Sequence, residues 1–109
     1  MYVFRKLQSA AMQLTEANKK YLRGLGHQLK PVIMIGGSGL SDSVFNEFDR
    51  TIGHHELIKV RVRVGDRKAR DKIIEELCER AGADLVTRIG NVALIYRRNE
   101  DEPKITLPA

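Results

Sequence analysis

Apolar positions along this chain fall into three runs with helical spacing and four with strand-like patterns. From residue 15 the spacing is helical. Ala17, Tyr21, Leu22, Leu25 and Leu29 form the side expected to face inward, with Lys20, Arg23, His27 and Lys30 opposite and Lys19 beside them. Thr15 offers a cap, and Pro31 stops the helix near Gln28. "VIMI" (32–35) is a short unbroken apolar run, which predicts a strand covered on both faces. A second helix is expected from a cap at Ser41 or Asp42 to about Ile52, with Val44, Phe45, Phe48 and Ile52 inward. "ELIKVRVRV" (56–64) then alternates: Ile58, Val60, Val62 and Val64 on one face, Lys59, Arg61 and Arg63 on the other. Asp66 opens a third helix over 67–81, with Ile73, Ile74, Leu77, Cys78 and Ala81 inward and Gly82 as its stop. "LVTRI", Gly90-Asn91 and "VALIYRR" read as a hairpin with a two-residue turn.

The order is therefore α-β-α-β-α-β-β. Strand, helix, strand implies a right-handed parallel crossover, so the fold class is α/β with a mixed four-stranded sheet and packed helices. The chain's 109 residues make one domain. Residues 1–13 carry no clear period and are expected to be an N-terminal extension. Residues 14–98 form the domain, and the acidic, proline-bearing 99–109 is expected to be a loosely attached tail. Nineteen Lys+Arg against fourteen Asp+Glu give a net charge of +5, which suits an anionic partner without identifying it. A single cysteine excludes an internal disulfide framework and fits a reducing compartment; Cys78 reads as core. No stretch approaches the ~20 apolar residues of a membrane helix, and the start lacks a secretory apolar region of ~7–15 residues. A cytoplasmic monomer without cofactor or membrane contact is the expectation.

The chemistry concentrates in "PVIMIGGSGLSDSV" (31–44), a glycine-rich loop between a strand and a helix. Nucleotide-triphosphate binding would need a lysine after a spaced glycine pair, but Leu40 and Ser41 follow Gly39. A dinucleotide fingerprint would need a third glycine where Asp42 stands, and its carboxylate would repel a pyrophosphate. Gly36-Gly37-Ser38-Gly39-Leu40 is one residue from a nucleophile elbow, yet Leu40 replaces the closing glycine. The downstream histidines, at 54 and 55, lead into a charged strand, and no later strand can supply the acid-then-histidine order. Two readings stay open for the loop. One is a tight turn without a ligand. The other is a G-x-x-G device in which Gly36, Gly37, Ser38 and Gly39 let a nucleic-acid backbone approach, with amides at the next helix's start donating to phosphate.

The neighbouring charges favour the second. One basic stripe carries Lys20, Arg23, His27 and Lys30, and another carries Lys59, Arg61 and Arg63. Arg97 and Arg98 read as a solvated strand end. Aromatic residues do not extend the case, because Phe45, Phe48 and Tyr21 are assigned to the core and no aromatic strand offers a stacking platform. Recognition through backbone and shape is expected. His54-His55-Glu56 lacks the spacing of a metal site, since sequence neighbours point apart.

Three segments together, "LTEANKKYLRGLGHQLKPVIMIGGSGLSDSV", "HHELIKVRV" and "RIGNVALIYR", resemble the YhbY-type CRM domain (chloroplast RNA splicing and ribosome maturation) over about residues 14–98. The resemblance implies a fold similar to the C-terminal domain of the third bacterial translation initiation factor. It also implies RNA binding through the loop at Gly36–Gly39 and a basic platform at Lys20, Arg23 and Lys30, with Lys59, Arg61 and Arg63 beside it. Stand-alone bacterial members are associated with precursors of the large ribosomal subunit, and plant members with group II intron splicing. The implied partner is large-subunit ribosomal RNA, and the implied protein is not an enzyme. The alternative is a protein-interaction module that docks on a ribosomal protein or translation factor.

Overall fold

Thr15 starts the first helix with a reciprocal cap. Its Oγ1 accepts from the Asn18 amide at 3.0 Å, while Asn18 Oδ1 accepts from the Thr15 amide at 3.2 Å. The computed structural model describes residues 14–108, so the expected 1–13 extension lies outside the described residues. Helix α1 (Glu16–Gly26) leads to strand β1 (Pro31–Ile35) and, through the glycine loop, to helix α2 (Asp42–His55). Strand β2 (Leu57–Val62), helix α3 (Arg67–Ala81) and the hairpin β3 (Asp84–Ile89) and β4 (Val92–Tyr96) follow. Ser41, not Asp42, caps α2, and Asp66 caps α3, its carboxylate accepting from the Ala69 amide at 2.9 Å. Gly82 ends α3 in the left-handed region, at φ 66°.

The sheet order is β1-β2-β4-β3, with β1 parallel to β2 and the other pairs antiparallel. This is the expected mixed α/β architecture. One sheet face carries Ile33, Ile35, Ile58, Val60, Val62, Ala93 and Ile95, packed against Phe48 and Ile52 of α2 and Ile74 and Leu77 of α3. A smaller core occupies the other face, where Leu22 of α1 meets Leu57, Val86, Leu94 and Tyr96.

Helix α1 packs differently from the expectation. Asn18, Leu22 and Gly26, at i, i+4 and i+8, form the buried seam, and Tyr21, Leu25 and Leu29 are exposed. Two contacts set this rotation. A Cβ on Gly26 would lie 2.7 Å from a Leu94 methyl, so the missing side chain lets α1 settle on β4. Asn18 Nδ2 donates to the Pro108 carbonyl at 3.0 Å, fixing the helix's other end.

Strand β1 is covered on one face only. It is an edge strand, and α1 packs over β2 and β3 instead, leaving Val32 and Met34 more than half exposed. The tail is fastened rather than loose. Glu56 is fully buried, and its carboxylate accepts from the amides of Asn99 (2.7 Å), Lys104 (2.8 Å) and Ile105 (2.7 Å). Ile105 and Leu107 then cover the smaller core. Arg97 is likewise no solvated strand end. Its guanidinium binds Asp49 Oδ1 at 2.6 Å and the Ala81 carbonyl at 3.1 Å, tying α2 to the end of α3.

Candidate nucleic-acid interface

The loop after β1 is a tight turn with unused donors. Gly39 donates to the Gly36 carbonyl at 3.0 Å, and Ser41 donates to the Gly39 carbonyl at 3.2 Å. Among the described residues, the amides of Gly37, Ser38 and Leu40 have no protein acceptor. Only Gly39 needs to be glycine for its backbone, at φ 77°. A Cβ on Gly36 or Gly37 meets nothing within 4 Å, so neither crowding nor backbone conformation inside the fold demands glycine there. The turn is held from behind: the Arg80 guanidinium lies 4.1 Å from the Phe45 ring centroid and 3.6 Å from the Asp42 carboxylate. That ion pair partly offsets the negative charge at the start of α2.

Beside the loop, the half of the sheet that α1 leaves open forms a groove of about 360 Å³. Arg23, Gly26 and His27 of the helix end make one wall, Lys59 and Arg61 of β2 line the floor, and Thr87, Ile89 and Val92 of the hairpin make the far side. No acidic side chain lines it among the described residues. Arg61 pairs with Met34 in the parallel ladder, two residues before Gly36, so groove and loop adjoin. The Arg63 amide donates to the Ile35 carbonyl at 2.7 Å, which puts Arg63 directly beside the loop's entry.

Of the residues singled out from the sequence, Arg23, His27, Lys59 and Arg61 come together in the groove. Gly36, Gly37, Ser38, Gly39 and Arg63 stand at its end. Lys20 lies away from both, in a shallow hollow with Ala17, Tyr21 and Leu25 on the outer side of α1. Lys30 lies near Val32 and His55, at the entry to the edge strand. Thr87, Ile89 and Val92 escaped the sequence reading. Their alternation within the hairpin was visible, but it could not say that α1 stops short of them.

Other reactive groups do not join this surface. Burial pushes the Cys78 thiol up to about 12, with the Asp84 charge adding to the effect, so it holds its proton at neutral pH. Asp84 is itself raised to about 6 by burial, against an opposing pull from Lys19. No group of three or more His, Cys, Asp or Glu side chains suited to a metal ion occurs among the described residues.

With this geometry in hand, comparison with known proteins is decisive at the level of family. The pattern of the CRS1/YhbY (CRM) domain matches residues 14–97. The chain belongs to the CRS1/YhbY (CRM) domain family. Among CRM relatives, "Probable RNA-binding protein PA4753" of Pseudomonas aeruginosa is 42% identical over 88 residues, covering 81% of this chain and 85% of that one. A Haemophilus influenzae protein named "RNA-binding protein" is 42% identical over 95 residues, covering 87% and 95%. The CRM fold is also similar to the solution structure of SAV1595 from Staphylococcus aureus, described as a candidate RNA-binding protein. The TM-score is 0.77 and the identity 34%, over 88% of this chain and 100% of that one.

Proposed function

We propose that this CRM domain is a non-enzymatic RNA-binding protein that grips the backbone of structured ribosomal RNA during assembly of the large ribosomal subunit. The observation that carries the reading is the pairing of unused loop amides at Gly37, Ser38 and Leu40 with an adjoining groove lined by Arg23, Lys59 and Arg61. A phosphate at the loop would take hydrogen bonds from the amides, since glycines at 36 and 37 leave its approach open. Neighbouring phosphates would fall to Arg63, Arg61, Lys59 and Arg23, with His27 at the groove's edge. The names of the relatives support RNA as the partner. The choice of ribosomal RNA follows from the family resemblance, and action in the cytoplasm as a monomer is carried over from the sequence reading.

A second reading, docking on a ribosomal protein, draws on the exposed Tyr21 and Leu25 of α1. Sedimentation of cell lysate separates the two. Co-migration of the protein with large-subunit precursors, lost after ribonuclease or at raised salt, is expected from RNA binding. Association that survives both treatments would replace it with the docking reading.

A further inference from the structure

The groove is not only a cationic track. Its far wall is largely apolar, with Ile89, which is 77% exposed, and Val92 beside Thr87, across from the cations of Arg23, Lys59 and Arg61. A channel that served the phosphate backbone alone would gain nothing from apolar surface held open to water. Its volume, about 360 Å³, falls at the small end of the range of ~300–1,000 Å³ typical of small-ligand sites. Arg61 adds a second observation. Its Nε atom is buried yet has no hydrogen-bond partner. That atom is out of a ligand's reach, but Arg61 as a whole is only half-buried and lines the groove, so the rest of its side chain is presented to an occupant.

We infer that this groove receives one unpaired nucleobase of the bound RNA, stacked against the apolar hairpin wall and the Arg61 guanidinium. The inference rests on the RNA-binding reading above and extends it from backbone contact to recognition of an unpaired nucleotide. The chemistry fits on each count. A base has a flat apolar face suited to Ile89 and Val92, and its edge carries acceptors. Its own phosphates would lie toward Lys59 and the loop. Arginine planes and apolar surfaces hold splayed-out bases in single-stranded RNA recognition, whereas a paired A-form helix keeps its bases out of reach. A protein segment would fill the apolar wall as well, but a groove lined by four basic side chains and no acid favours the polyanion.

The test compares two RNA stems of equal length, one fully paired and one carrying a single bulged nucleotide, each of the four bases in turn. Fluorescence anisotropy gives the affinities for the full-length protein and for Thr87→Trp, which fills the groove without changing charge. Ile89→Ser, at an exposed position, serves as a second variant should Thr87→Trp fail to fold. The wild type is expected to prefer at least one bulged stem by ten-fold or more. Both variants are expected to lose that preference, binding bulged and paired stems with equal affinity. Equal wild-type affinities for bulged and paired stems would overturn the base pocket and leave backbone binding standing. A preference that survives in a folded variant would overturn it too. Failure of the wild type to bind any of these stems would overturn the RNA reading along with it.

Discussion

Gly36 and Gly37 carry no side chain although a Cβ at either would meet nothing within 4 Å, while Gly39 sits at φ 77°. These are different kinds of glycine, and the melting temperature should separate them. Gly37→Asp is expected to leave thermal stability unchanged, whereas Gly39→Ala should cost roughly 1–2 kcal/mol because an L side chain resists the left-handed region. Equal melting temperatures for the two variants would contradict the loop geometry. Asp84 supplies a pH-dependent case. Burial raises its pKa from 3.8 to about 6, so the folded chain holds that proton more tightly than the unfolded chain does. The cost of the buried charge is full above pH 6, shrinks as pH falls through that interval, and is gone below 3.8. Asp84→Asn should therefore raise the melting temperature at neutral pH and leave it unchanged near pH 3.5. A lower melting temperature at neutral pH would mean that attraction to Lys19 outweighs burial. From the sequence, "GGSG" marked the loop, but nothing in it distinguished Gly39 from its neighbours, because φ depends on how the turn closes onto Ser41.

At the scale of elements, periodicity found every helix and strand of the described residues and failed on the orientation of α1. The alternation of Ile58, Val60 and Val62 against Lys59 and Arg61 was legible because a strand has only two faces. Helix α1 has no such simplicity. Its most apolar stripe, Ala17, Tyr21 and Leu25, is outward, and the buried seam of Asn18, Leu22 and Gly26 contains one large apolar residue. Close approach at Gly26 and the Asn18 bond to Pro108 decide the matter, and both depend on distant partners. Two glycines in this one helix should behave oppositely. Gly24→Ala, in open space, is expected to stabilise the protein by about 0.5–1 kcal/mol through helix propensity. Gly26→Val, forced onto Leu94, should destabilise it by about 1–3 kcal/mol. Denaturant titration measures both, and a stabilised Gly26→Val would show that the helix does not rest on β4 as described. The tail was misjudged for a similar reason. "NEDEPKITLPA" has the composition of a loose end, yet Glu56, more than forty residues earlier, offers a buried carboxylate that three of its amides satisfy. Glu56→Ala leaves those donors without an acceptor and should expose residues 99–108 to limited proteolysis, whereas an equally resistant tail would show that Ile105 and Leu107 hold it unaided.

For the molecule as a whole, the net charge of +5 matters less than where the cations gather. The sequence displayed two basic stripes as equals. Folding brings Arg23, His27, Lys59 and Arg61 around one groove beside the glycine loop and leaves Lys20 on the outer side of α1. That sorting was illegible from the sequence, because it follows from the helix rotation that periodicity missed. It also makes a distinction that salt can measure: Lys59→Gln should reduce the dependence of RNA affinity on salt by about one phosphate contact, and Lys20→Gln should not. The most direct test of the central claim is the affinity of the full-length protein and of Gly37→Asp for a structured ribosomal RNA fragment across ~50–200 mM salt. With about 4–6 phosphate contacts, log affinity should fall against log salt with a slope near −3 to −5, and Gly37→Asp should bind roughly ten-fold more weakly at each salt concentration. A flat salt dependence, or equal affinities for the two folded proteins, would contradict a loop and groove that hold RNA by its backbone.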